Sequence, residues 1–338
     1  MARKKKNNNG MFILTVVIVI ALIIVGYLYK DTIIEFIKDY IGVDLTSDQN
    51  IDLDGKLAVH FIDVGQGDSI LIQNADNEFI LIDTGEKDQY EKLTSYLEHY
   101  KVKKFKYVIF THPHSDHIGS ADKIVKNYDI ENIIMPEVYH KTKTYERLLT
   151  EIENKNLEIT VAIPGKTFKF GDSDFIILAP NSEDYKSINN YSVVIKLTYG
   201  NNNFLFTGDM EKESENEVIT YCKNNNIDLS VDILKVAHHG SSTSSQTSFL
   251  NLLKPQYAVI MCGIDNSYNH PNLKTVDRIE KTGAEVIRTD LEGDIVITSD
   301  GQNLSIQKGR TGYYIPPKNS SDSDDKDKEQ NEDFIEEN

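Results

Sequence analysis

Apolar and polar positions alternate through the middle of this chain in short runs, and the period of the alternation changes along it. Residues 57–63, 69–73, 79–83 and 107–111 are β-branched or aromatic-rich runs closed by Gly, Asn and Asp turns, which predicts strands. Leu93, Tyr96, Leu97 and Tyr100 then fall at i, i+3, i+4 and i+7, and Ile118, Ala121, Val125 and Tyr128 share one face, which predicts helices. Further strand-like runs cover 175–179, 192–198, 203–207, 231–237, 257–262 and 294–298. Helical spacing returns near 141–154, 211–224, 246–253 and 273–282. Strand meanders relieved by helices over about 260 residues predict an α+β architecture of two sheets packed face to face with helices outside.

The two ends follow other rules. Residues 1–10 carry Arg3, Lys4, Lys5 and Lys6, and the nineteen residues 11–29 hold no charge, enough to cross a hydrocarbon core at ~1.5 Å per residue. This predicts a transmembrane helix over 11–29. Basic residues ahead of it keep 1–10 in the cytoplasm and place the remainder outside, as a single-pass protein of the cell membrane with an extracytoplasmic domain. Cleavage of the same stretch as a signal peptide would give a secreted protein. The run ends in Gly-Tyr-Leu-Tyr-Lys rather than in a small-residue cleavage site, which favours a retained anchor. Residues 30–55 read as a juxtamembrane stalk, 56–312 as the folded domain, and 313–338 as an acidic tail too poor in apolar residues to order itself.

Composition changes the picture in two places. A hydrophobic content of 39% in 338 residues is enough for a sizeable core, and a formal charge of −17 argues against a broad electrostatic footprint for nucleic acid, although not against a local basic groove. Cys222 and Cys262 lie far apart in apolar surroundings, outside any CxxC pattern, and read as buried thiols.

The chemistry concentrates in Thr111-His112-Pro113-His114-Ser115-Asp116-His117, directly after the apolar run Tyr107-Val108-Ile109-Phe110. Neutral imidazoles and a carboxylate are the ligands that borderline divalent metals prefer, and four of them this close can serve two adjacent ions. Other polar clusters also follow strand-like runs. In Thr207-Gly208-Asp209 an Asp delivered by a Gly turn is placed to bridge two cations. The pair His238-His239 offers one metal ligand and one supporting or substrate-facing group. His270 sits in a loop ahead of a helix, and Arg288 can present a planar fork to a phosphate. Asp63, Gln66 and Asp68 read as shaping the loop that Gly65 and Gly67 allow to turn.

In this order, with Phe61-Ile62-Asp63-Val64-Gly65-Gln66-Gly67-Asp68-Ser69, Leu81-Ile82-Asp83-Thr84-Gly85, Asn189-Asn190-Tyr191-Ser192, Arg288-Thr289-Asp290 and Gly293, the chain resembles the metallo-β-lactamase superfamily. The resemblance is strongest to the ComEC-type hydrolase domain of competence proteins and its free-standing relatives. It implies a four-layer αββα sandwich with two divalent metal ions, Zn²⁺ or Mn²⁺, at one edge of the sheets. It implies that His112 and His114 hold one ion, Asp116 and His117 the other, that Asp209 bridges them, and that one of His238 and His239 completes the second site. A usual member carries another histidine mid-chain; here that region offers His140 and, at the matching strand, Asn190-Tyr191-Ser192.

The expected activity is metal-dependent hydrolysis by a metal-activated water. Asp116 orients the nucleophile, His270 or the second histidine of the pair protonates the leaving oxygen, and Arg288 binds phosphate. The expected substrate is a phosphodiester, DNA or a cell-surface polymer. The alternatives are a cell-wall or lipid phosphodiesterase or esterase, and a non-catalytic surface module that binds DNA.

Overall fold

The computed structural model describes residues 55–309, together with Tyr29. An eight-stranded sheet runs in the order Leu304–Lys308, Ile295–Ser299, Leu57–Phe61, Ile70–Gln73, Phe79–Ile82, Tyr107–Ile109, Ile133–Met135, Ile159–Val161. A seven-stranded sheet runs Glu285–Arg288, Tyr257–Ile260, Ile233–Lys235, Asn202–Phe206, Val194–Tyr199, Ser173–Ala179, Thr167–Phe170. Period-2 alternation explains how the two meet. In the first strand Leu57, Val59 and Phe61 point into a shared core with Phe175, Ile195, Phe204 and Phe206 of the other sheet. Each such side chain contributes about 1.5–3 kcal/mol when fully buried.

The residues that alternate outward are apolar too, because helices cover both outer faces. Leu71, Leu81 and Val108 pack on Leu93 and Leu97 of the helix Tyr90–His99, Ile124 of Ala121–Asn127 and Leu148 of Lys143–Asn154. Leu205, Leu234 and Ala258 pack on Val218 and Cys222 of Lys212–Asn225, Leu250 of Thr247–Leu253 and Ile279 of Leu273–Glu280. The layer order helix, sheet, sheet, helix is the expected αββα sandwich. Local chemistry sets the helix ends: Thr142 caps Lys143–Asn154 by accepting from Tyr145 N, and Lys212–Asn225 stops at Asn226 in the left-handed region.

Both sheets switch to parallel pairing partway across. Phe79–Ile82, Tyr107–Ile109 and Ile133–Met135 run parallel in one, and Asn202–Phe206, Ile233–Lys235 and Tyr257–Ile260 in the other. Parallel neighbours need crossovers, which is why helical segments separate these strands in sequence. Ile82 pairs with Ile109, and Lys235 with Val259, so the C-terminal ends of neighbouring strands come level along one edge.

The membrane placement is corrected. Among the described residues no helix is long and apolar enough to cross a membrane. Of the stretch 11–29, on which the span was inferred, all but Tyr29 lies outside the described residues, as do the stalk up to residue 54 and the tail from 313. The single-pass localisation therefore has no structural support and is set aside.

Candidate metal centre

The expected chemistry hangs from that level edge. Asp83 follows Phe79–Ile82, Thr111 and His112 follow Tyr107–Ile109, Asp209 follows Asn202–Phe206, and His238 and His239 follow Ile233–Lys235. Parallel strands present loops of unlike origin to one another at this end, which is where such sheets bind ligands. The single turn Ser115–Ile118 brings Asp116 and His117 to the same edge. Gly67 makes room for that turn: a Cβ there would lie 2.3 Å from the Asp116 carbonyl oxygen, and its φ of 136° excludes ordinary side chains.

Four residues meet at the centre. One ligand-type atom each from Asp116, His117, Asp209 and His239 lies within 4.8 Å of all the others, and all four residues are buried. Asp209 Oδ2 is the common neighbour, 3.2 Å from His117 Nε2, 3.4 Å from His239 Nε2, 3.9 Å from His238 Nε2 and 4.0 Å from His112 Nε2. Neither oxygen of Asp209, nor His117 Nε2, meets an aligned hydrogen-bond partner. A fully buried carboxylate in that state is costly unless a cation completes it. The donors are imidazole nitrogens and carboxylate oxygens, and with the fold they fit a dinuclear metal site. Burial pushes the Asp209 carboxyl up, but the imidazoles of His239, His117 and His238 outweigh it and hold it well below the usual range.

The backing of each imidazole tells the two histidines of the pair apart. His239 Nδ1 donates to Met261 O at 2.9 Å, which aims Nε2 at Asp116 Oδ2, 3.1 Å away. His238 is more distant, with Nδ1 3.3 Å from Thr243 Oγ1. Both adopt φ of 51°, unfavourable for residues other than glycine, at the point where the chain leaves its strand. His117 Nδ1 lies 2.7 Å from Asp83 Oδ2, and that carboxylate also accepts from Thr111 N at 2.8 Å and Thr111 Oγ1 at 2.6 Å.

His112 and His114 form a looser pair, Nε2 to Nδ1 at 2.9 Å. Burial, with His117 and His114 beside it, holds His112 well below its ordinary value, and burial lowers His114 to about 4. Both are therefore neutral near pH 7, the form that ligates a metal. Just ahead of the strand Val194–Tyr199, Ser192 Oγ stands 3.4 Å from His112 Nδ1 and accepts from Asp209 N at 2.9 Å. The His140 ring lies 5.7 Å from that of His114.

His270 is placed beside the pair, its ring 5.5 Å from His238 and 6.2 Å from His239. Arg288 is not brought to the cluster as an open fork. Its Nε donates to Asp290 Oδ1 at 2.9 Å and its second arm to Asp290 Oδ2, so two of its donors are held within the protein.

Asp83 and Lys235 carried no role at the site from sequence, and Asp68, at its border, was read as shaping a loop. Asp83 backs His117. Lys235, buried in the floor, is ion-paired with Asp68, donates to Gly208 O at 3.1 Å and lies 3.8 Å from Asp209 Oδ1. Burial pushes its ammonium down, but Asp68 and Asp209 outweigh this and keep it charged. Asp68 Oδ1 is in turn 3.4 Å from His239 Nδ1. A lysine inside the apolar run Leu234-Lys235-Val236 is the one local signal that could have pointed here.

The sequence model of the metallo-beta-lactamase superfamily matches residues 62–264. The chain belongs to that superfamily. Within the superfamily it is 30% identical over 283 residues to ComE operon protein 3 of Bacillus subtilis, covering 78% of this chain and 35% of that protein. It is 27% identical to Recombination protein 2 of Haemophilus influenzae, over 75% of this chain and 30% of that one. Competence protein ComA of Neisseria gonorrhoeae is 28% identical, over 71% and 32%. The chain spans about a third of the length of these curated relatives, and the resemblance to competence proteins is borne out. Among solved structures, the metallo-beta-lactamase fold protein YhfI of Bacillus subtilis aligns over 72% of this chain and 100% of its own, at 14% identity and a TM-score of 0.49.

Proposed function

We propose that this chain is a metal-dependent phosphodiesterase whose substrate is DNA, with the chemistry carried by a domain of residues 56–312. The observation that carries the reading is Asp209 Oδ2, buried and without an aligned hydrogen-bond partner, facing four imidazoles from two separate segments of the chain, 112–117 and 238–239. His112 and His114 would hold one ion, Asp116, His117 and His239 a second, and Asp209 would touch both. Two adjacent divalent ions supply Lewis-acid stabilisation of a phosphoryl group and lower the pKa of water toward neutrality. Asp116 accepts a proton or hydrogen bond from the attacking water and so orients it. His270, beside His238, donates the proton that the leaving oxygen needs. Arg288 has no part in this scheme, because its fork already holds Asp290. The names of the relatives, two of them for competence or recombination, support a nucleic-acid substrate.

The test is hydrolysis of labelled single- and double-stranded DNA by the full chain with Mn²⁺, Zn²⁺ or chelator, with Asp209→Asn in parallel. Metal-dependent cleavage is expected, reduced by at least about 10²–10³-fold in the variant, with a lower ion content. A wild-type protein that binds two ions and cuts no DNA would remove DNA as the substrate and turn the search to wall and lipid phosphodiesters. DNA binding that survives Asp209→Asn, with no turnover in either protein, would mark a binding module instead.

A further inference from the structure

The buried Lys235–Asp68 pair is placed to do more than fill space. Its two side chains are 1% and 2% exposed, and Lys235 lies 3.8 Å from Asp209 Oδ1, whereas the imidazoles come nearest to Oδ2. Asp68 reaches behind the same histidines, 3.4 Å from His239 Nδ1 and 3.8 Å from His117 Nδ1. Four buried carboxylates, Asp68, Asp83, Asp116 and Asp209, therefore share this floor with a single ammonium. Two divalent ions would cancel four carboxylates. Before a metal-bound water ionises, one positive charge then remains among these groups, that of Lys235, and it is equal in size and opposite in sign to the charge of one phosphodiester.

We infer that Lys235 is a resident cation of the centre, a positioning and charge-setting residue that turns Asp209 Oδ2 toward the ions and leaves the loaded site one positive charge in excess for a monoanionic substrate. This rests on the two-ion reading above, and it makes a prediction that a merely structural pair does not. Removing the ammonium and removing its carboxylate shift the site charge in opposite directions, and removing both restores it.

The experiment measures Mn²⁺ and Zn²⁺ binding to the full chain by calorimetry, in wild type, Lys235→Met, Asp68→Asn and the double variant. Ion affinity is expected to rise in Lys235→Met, to fall about 10–100-fold in Asp68→Asn, and to return to within about threefold of wild type in the double variant. With a phosphodiester substrate, KM should rise in Lys235→Met and recover in the double variant. If Lys235→Met does not fold, the wild type, Asp68→Asn and the double variant still carry the test. A double variant that binds ions as weakly as Asp68→Asn, or single variants that shift affinity in the same direction, would overturn the inference while the two-ion reading stands. A wild-type chain that binds no divalent ion would overturn that reading itself.

Discussion

On one side of Asp209 the ligand atoms of Asp116, His117 and His239 crowd with it inside 4.8 Å, all buried, whereas on the other side His112 and His114 have chiefly each other, Nε2 to Nδ1 at 2.9 Å. The supports differ in kind as well. His117 leans on a carboxylate, Asp83, at 2.7 Å and His239 on the Met261 carbonyl at 2.9 Å, but His112 Nδ1 has only the hydroxyls of Thr111 at 3.1 Å and Ser192 at 3.4 Å. His114 sits partly exposed beside His140. A constellation already assembled loses little freedom when a ligand arrives, whereas one that must first break a contact and turn a side chain gives up part of its affinity. Ions should therefore bind in two steps, tightly among Asp116, His117, Asp209 and His239 and more weakly at His112 and His114.

The strongest way to break this comparison is to remove one histidine from each half. His239→Ala should weaken the tighter ion by at least about 100-fold, and His114→Ala should leave one tightly held ion per chain while losing the other, as read by metal content after dialysis. Equal losses in the two variants would mean that the halves do not differ. A smaller effect is expected one layer further out. Asp83→Asn keeps the shape of the group behind His117 but removes its charge, and should cost about 10–100-fold at the tight position, whereas Ser192→Ala should change the weaker one by less than about tenfold. Calorimetric titration with Zn²⁺ separates the two steps, and the reverse order of effects would contradict the assignment.

This asymmetry also marks how far the sequence could be read. The cluster from His112 to His117, with Asp209 and the His238-His239 pair, was legible because ligand residues recur at fixed spacings after apolar runs, and the strands and helices around them follow their periodicity closely. The supports were not legible. Asp83 lies 34 positions before His117, and nothing local tells a strand-end carboxylate that packs on an imidazole from one that closes a turn. Lys235 is a polar residue in a strand of the seven-stranded sheet, and its role shows only once Asp68, from the loop before Ile70–Gln73 of the other sheet, pairs with it. Arg288 shows the converse: an arginine suited to phosphate is occupied by an acid two positions on, and only geometry decides between them. The short strands Ile133–Met135, Ile159–Val161 and Thr167–Phe170, and the edge strands Glu285–Arg288 and Leu304–Lys308, escaped for a related reason. They are stabilised by their neighbours in the sheet more than by their own pattern.

The smallest expected effect concerns what holds the tight half in place. After His239 the chain runs through a loop whose backbone donors, Ser245 N and Gln246 N, both point at the buried carboxylate of Glu215 on the helix Lys212–Asn225, with Gln246 N at 3.0 Å. Burial drives this carboxyl up from 4.5 to about 7 against those two hydrogen bonds. Because the folded-state value lies above the unfolded one, the stabilisation is fully present below the unfolded value and is lost as pH rises through the folded one. At about 1.4 kcal/mol per unit, the loss between pH 5 and 8 is at most about 3 kcal/mol. Glu215→Gln removes the titration, so its urea midpoint should lack the decline that the wild type has over this range. Superimposable pH profiles would show that Glu215 does not couple the loop to proton binding. A pH-dependent loss of the tight ion in wild type alone would tie this anchor directly to the better-built half of the centre.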